Sequence, residues 1–194
     1  IVGDFDSAKV LESVKKMTAT WEKGKLAKLK LPEPPAATKF TQKLISDPTA
    51  AQLHVYIGQL GIKRDNPDYF KLLVMDNVLG TGPGFTDRLS ANLRDRQGLA
   101  YTVRATITPS ATEELGTFTG YIGTFPDKFN EVKEGFLKEV NKLRTEVPDA
   151  EEVESAKLYL TGSLAFGLTT CEQAAELLIT IDRHKLGDKY LDNY

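Results

Sequence analysis

In the stretch LRDRQGLAY, the guanidinium of Arg94 and the phenol of Tyr101 stand seven positions apart, on either side of Gly98. Arginine offers five N–H donors in a fixed fork and tyrosine one O–H. Aimed at a single point, two such groups hold a carbonyl and stabilise the negative charge that develops on it under attack. Arg94 falls in the final turn of a helical pattern and Tyr101 opens the next strand, so a turn at Gly98 lets both side chains approach one face. The same residues also fit ordinary roles, Arg94 capping its own helix and Tyr101 packing on a sheet.

Just upstream, NVLGTGPGFTDRLS crowds Gly80, Gly82 and Gly84 around Pro83. A dinucleotide fingerprint needs G-x-G-x-x-G directly after a strand and opening a helix, and a P-loop ends in Gly-Lys-Ser/Thr. Here the glycines are evenly spaced and follow a helical pattern, so the run reads as a connection between two helices. Gly82 and Gly84 are its candidates for touching a substrate. His54 and His184 lie 130 positions apart with no Asp, Glu or Cys at ligand spacing, and no zinc ligand set can be read from them. Ser90, Ser110 and Ser163 lack a G-x-S-x-G context and a partner histidine. Glu113 and Glu114 form a carboxylate pair in a loop, where solvation is the simpler reading. The single Cys171 has no second thiol and reads as a small helix residue.

Charge narrows the partners. Lys plus Arg number 25 against 27 Asp plus Glu, and no block of five or six like charges marks a nucleic-acid interface. No run approaches the roughly 18 apolar residues of a membrane helix. At 194 residues and 41% hydrophobic, the chain can bury one good core. It opens on IVGD without an initiator Met or a preceding turn and closes on DKYLDNY without a final strand, so it reads as a piece of a longer protein.

The elements that must position Arg94 and Tyr101 follow from periodicity. IVGD predicts a short strand, and Asp6 or Ser7 caps a helix with Val10, Leu11, Val14, Met17 and Trp21 on one face. Prolines in GKLAKLKLPEPPAATKF forbid a helix from Gly24 to Phe40 and predict an extended connector. Ala51 to Gly61 reads as a strand. Next come a helix capped at Asn66 that stops at Gly80 and one capped at Thr86 that carries Leu89 and Leu93 and stops at a left-handed Gly98. AYTVRATIT and GTFTGYIGT alternate as a hairpin around PSATEEL. Three helices finish the chain, the first over Pro126 to Glu146, the second after Pro148, the third from a capping box of Thr169 with Glu172. The order β, α, α, β, β, α, α, α predicts an α+β fold of two layers, a mainly antiparallel sheet covered by helices.

The run YFKLLVMDNVLGTGPGFTDRLSANLRDRQGLAYTV, then GTFTGYIGT and the helices after it, resembles the carboxy-terminal, non-catalytic domain of the pitrilysin family of zinc metallopeptidases. That family includes insulysin, the mitochondrial processing peptidase, the core subunits of the cytochrome bc1 complex and bacterial two-domain zinc proteases. The resemblance spans roughly Thr49 to Leu186, and the helix ending in LR followed by GLAY is its most specific feature. IVGDFDSAKV in turn resembles the strand and helix that close the first of the family's paired domains. On this resemblance residues 1–24 belong to that preceding domain, 25–48 are a linker, and 49–194 form the carboxy-terminal substrate-contacting domain, ending before its last strand.

What the resemblance implies for function is a half-enzyme. The family's zinc ligands come from H-x-x-E-H, which does not occur here, so zinc is expected in an absent catalytic half, with neither metal ligands nor catalytic residues in this chain. Arg94 and Tyr101 match the pair that reaches from the second half into the active site, where the phenol meets the scissile carbonyl and the arginine holds the substrate backbone. Arg88 matches a Ser-Arg-Leu position with Asp87 in place of the small residue, and is expected to be structural. Implied partners are an extended peptide, bound by strand addition, and a catalytic amino-terminal domain or partner subunit, with a dimer possible. The alternative is a proteolytically inactive scaffold, or a substrate-capturing subunit of a processing-peptidase-like heterodimer. Because the paired halves share one fold, Ile1 to Trp21 are expected to dock where the second half lacks its own closing elements, with Ile1 to Gly3 joining the main sheet.

Overall fold

The structure, a computed structural model, describes residues 1–25 and 32–194. Helix α1, Ser7–Thr18, starts where Asp6 accepts hydrogen bonds from the amides of Ala8 at 2.9 Å and Lys9 at 3.2 Å. It buries none of its residues, and Leu11, Met17 and Trp21 stand exposed. The expected docking of Ile1 to Trp21 therefore does not hold: residues 1–3 form no strand, and the main sheet is made without them. Ile1 and Val2 alone, ahead of Gly3, cannot form a ladder long enough to offset the entropy of ordering them. Of the predicted connector, residues 26–31 lie outside the described residues; residues 32–52 have no helix or strand.

Three strands make the sheet, β1 Leu53–Leu60, β2 Ala100–Thr106 and β3 Thr117–Thr124, in the order β1-β3-β2 with both pairs antiparallel. The register aligns Val55, Ile122 and Val103 across one face, and that face is the floor of the core. The opposite face aligns Tyr56, Tyr121 and Arg104. The hairpin loop is longer than predicted because Asp76 takes the amides of Ile107 and Thr108, both at 2.9 Å, together with the Thr108 hydroxyl at 2.6 Å. Those donors would otherwise extend β2. Burial pushes the Asp76 carboxyl up from its ordinary value, against the pull of these three hydrogen bonds.

Helix α2, Tyr69–Asp76, runs on into a π turn at Asn77–Thr81. Helix α3, Phe129–Thr145, buries Val132 and Phe136, and the ring of Phe136 fills the space above Gly120, where a Cβ would lie 2.4 Å from it. Full burial of side chains of this size stabilises by roughly 1.5–3 kcal/mol each. Helix α4, Ala150–Phe166, opens with a capping box of Asp149 and Glu152. Helix α5, Cys171–Arg183, uses Thr170 with Gln173, one residue later than predicted, since Thr170 adopts the extended backbone a cap requires. No single described helix is long and apolar enough to cross a membrane.

Glu113 is exposed but paired. Arg183 on α5 donates to it through Nε at 2.7 Å and Nη2 at 3.3 Å, and that bond holds the carboxyl at about 2. The folded value lies below the unfolded one, so this contribution is present above pH 4.5 and disappears as pH falls towards 2. Glu113→Gln is expected to lower the melting temperature slightly near neutral pH and to leave it unchanged below about pH 2. Equal gaps at both pH values in thermal scans would refute the pairing.

Candidate functional site

The segment that carries Arg94 is a π-helix, Ser90–Arg96, in place of the predicted α-helix. Its start is fixed by Asp87 and not by the predicted Thr86. Buried Asp87 accepts the Ser90 amide at 2.8 Å, whereas the Thr86 hydroxyl donates to the Pro83 carbonyl at 2.9 Å. Burial pushes the Asp87 carboxyl up. Arg88 forms a two-pronged pair with Glu152, Nε to Oε1 at 2.8 Å and Nη2 to Oε2 at 2.5 Å, which ties this segment to α4 and holds the Glu152 carboxyl down. An arginine committed to a carboxylate on a neighbouring helix fits the structural reading of Arg88.

The exit is wider by one residue than a standard Schellman closure, because the last turn is π. Gly98 N–H donates to the Arg94 carbonyl at 3.0 Å and Leu99 N–H to the Leu93 carbonyl at 2.8 Å. Gly98 takes the predicted left-handed backbone, φ +61°. The Thr124 hydroxyl then fastens the Leu99 carbonyl at 2.5 Å, so the chain enters β2 at a fixed point. Tyr101 falls at an irregularity of the ladder, between Ala100 opposite Thr124 and Thr102 opposite Gly123. A bulge there turns its side chain outward, and Tyr101 is 73% exposed.

The glycine run brings a third residue into this corner. Gly80 sits where a Cβ would lie 2.3 Å from the Ala105 nitrogen, so only glycine lets the π turn lie on β2. Gly82 packs against the Asp87 amide, while Gly84 is open, with φ +63°. Phe85 follows, also left-handed, at φ +66°. For a bulky residue this backbone costs roughly 1–2 kcal/mol. Its ring lies under Arg94, with Cζ 3.5 Å from the ring centroid and 5.9 Å from that of Tyr101. Arg94 Nη1 is buried and has no hydrogen-bond partner among the described residues, and the nearest carboxylate, Asp95, is 4.0 Å from Nε.

The structure thus places Arg94, Tyr101 and Gly84 at one corner, with Gly82 turned in against the helix start. Phe85 escaped the sequence reading. Its one signal is a large apolar residue directly after Gly-Pro-Gly, where a loop would expose it. The corner can donate N–H and O–H hydrogen bonds to a carbonyl or carboxylate while a ring holds the cation in place.

The described residues offer zinc no ligand set. Among the described residues no three His, Cys, Asp or Glu side chains converge as ligands. His54 Nδ1 lies 2.8 Å from the Tyr121 hydroxyl, and His184 closes α5.

Residues 1–160 match the sequence family described as the peptidase M16 inactive domain. The uncharacterized zinc protease YmxG of Bacillus subtilis is 29% identical over 159 residues, 81% of this chain and 37% of its own length. An uncharacterized zinc protease of Streptomyces coelicolor is 28% identical over 135 residues, 70% of this chain and 28% of its own. The chain therefore spans between 28% and 37% of the length of these curated relatives. Among solved structures, a peptidase M16 inactive domain from Pseudomonas fluorescens is similar at 25% identity and a TM-score of 0.78, over 98% of this chain and 44% of that one. A protease from Helicobacter pylori shares the fold at 18% identity and a TM-score of 0.76, over 98% and 47% of the two chains.

Proposed function

The chain belongs to the family of peptidase M16 inactive domains, and on that premise we propose that it lends substrate contacts and oxyanion stabilisation to zinc peptidase chemistry housed in another domain or subunit. The observation that carries this reading is the corner itself, where a guanidinium and an exposed phenol stand together with no carboxylate paired closely to the cation. Arg94 holds an extended peptide by its backbone carbonyl. Tyr101 donates its O–H to the scissile carbonyl as that oxygen gains charge, so its contribution grows between ground state and transition state. Residues 1–24 belong, in this reading, with the catalytic half, which accounts for an amphipathic α1 that buries nothing among the described residues. The loop at Gly84 borders the peptide path.

The test uses the intact protein that contains this chain, zinc and an internally quenched peptide. Hydrolysis should be abolished by a chelator. Arg94→Ala should raise KM by about 10- to 150-fold, the loss of a charge-assisted hydrogen bond, with a smaller change in kcat. Unchanged kinetics in that variant would remove Arg94 from the reading, and no hydrolysis in the wild type would leave a scaffold.

A further inference from the structure

Phe85 combines three features that loop closure does not require. Its backbone is left-handed although it is not glycine, the residue is about half exposed, and the Cζ of the Arg94 guanidinium stands over its ring at 3.5 Å from the centroid. A loop selected only to join two helices would place glycine or asparagine at φ +66° and keep a large ring out of water. The strain is held because its neighbours fix it on both sides. Gly82 is locked against Asp87, and the Thr86 amide and hydroxyl both bond the Pro83 carbonyl, at 3.3 and 2.9 Å. The segment from Pro83 to Thr86 is therefore a preset turn whose product is the position of one ring.

We propose that Phe85 is a positioning residue: its strained backbone presents the ring as a shelf that fixes the Arg94 guanidinium beside Tyr101. Stacking on an aromatic face restrains the plane of the guanidinium while leaving its N–H edge free to donate. A carboxylate in the same place would fix Arg94 equally well but would occupy those donors and neutralise the charge. Among the described residues Asp95 is the acid nearest to Arg94, and at 4.0 Å it does neither. The ring thus orders the side chain without competing with a peptide carbonyl for it, and substrate binding finds the rotamers of Arg94 already restricted. The Tyr101 ring lies farther off, its centroid 5.9 Å from the same Cζ, so the guanidinium has both aromatic groups within reach. The inference that the shelf serves peptide binding rests on the function proposed above; the ordering of Arg94 does not.

Two measurements separate them. In the chain itself, the Arg94 Nε–Hε resonance should be displaced by the ring current of Phe85 and exchange slowly with solvent. Phe85→Leu and Phe85→Gly should return it to the position of a free arginine, and Phe85→Tyr should keep it. Phe85→Gly should also leave the denaturation midpoint at or above that of wild type, because glycine adopts this φ without strain. An unmoved Arg94 resonance in Phe85→Leu and Phe85→Gly overturns the proposal, as does a Phe85→Gly chain that loses stability while keeping the resonance. In the intact protein, Phe85→Leu should raise KM for the quenched peptide by roughly 2- to 30-fold, the range expected of a cation–π contact. The Phe85→Leu, Arg94→Ala double variant should be no worse than Arg94→Ala alone. Wild-type protein that fails to hydrolyse peptide refutes the peptidase reading, and the resonance alone then decides the role of Phe85.

Discussion

Tyr101→Phe in the intact protein should lower peptide turnover by about 100- to 1000-fold, the usual consequence of deleting one oxyanion donor. The change removes a single oxygen. Because Tyr101 is 73% exposed, at an irregularity of the β2 ladder, the ring keeps whatever contacts it makes, and stability should move by less than about 0.5 kcal/mol. The loss should fall on kcat, leaving KM close to wild type, because the hydrogen bond strengthens only as the carbonyl becomes an oxyanion. Arg94→Ala acts in the opposite sense, through KM, so the two variants together report whether the corner divides its work between holding and stabilising. Single-turnover hydrolysis of the quenched peptide, set beside chemical denaturation of the same preparations, measures both quantities. Turnover equal to wild type in Tyr101→Phe would remove the phenol from the chemistry.

The largest stability effect is expected at Phe136. Its side chain is fully buried, in one core cluster with Ile122, Leu93 and Val132. Phe136→Ala should cost about 3–5 kcal/mol, through lost transfer energy and the cavity left over Gly120. Against a total of roughly 5–15 kcal/mol for a folded domain, that is a large fraction. Urea denaturation should show a lower midpoint at an unchanged slope, and a loss below 1 kcal/mol would mean that the ring is not the keystone of α3. The close fit has a second consequence. Gly120→Ala places a methyl 2.4 Å from the ring and should itself destabilise, but less so in a Phe136→Leu background, where the ring has gone.

Several elements were legible because their signals are local. Asp6 caps α1, Gly98 is left-handed, Leu89 and Leu93 point inward, and the alternation of β1, β2 and β3 sets one face to the core. Each of these depends on a few consecutive residues and a fixed period. The outcome differs where a distant group, or a competing bond close by, takes the donor or acceptor that a local pattern relies on. β2 ends before Ile107 because Asp76, some thirty positions earlier, takes its amides. The cap at Asp87 replaced the one at Thr86, whose hydroxyl was drawn to Pro83. IVGD has the composition of a strand, but two apolar residues ahead of Gly3 are too short a segment to hold a ladder, and residues 1–3 form none.

The candidate site divides in the same way. By itself the sequence determined the two donors, the turn between them and the kinship, since LRDRQGLAY fixes residue types and spacing. Only the tertiary structure decided that the Arg94 helix is π, that Tyr101 stands at a bulge, and that Phe85 lies beneath the guanidinium. The reason is physical. Donor chemistry belongs to a side chain and travels with its letter in the sequence. Where that side chain points depends on hydrogen bonds and close approaches between segments far apart along the chain, such as Gly80 lying on Ala105 and Thr124 fastening Leu99.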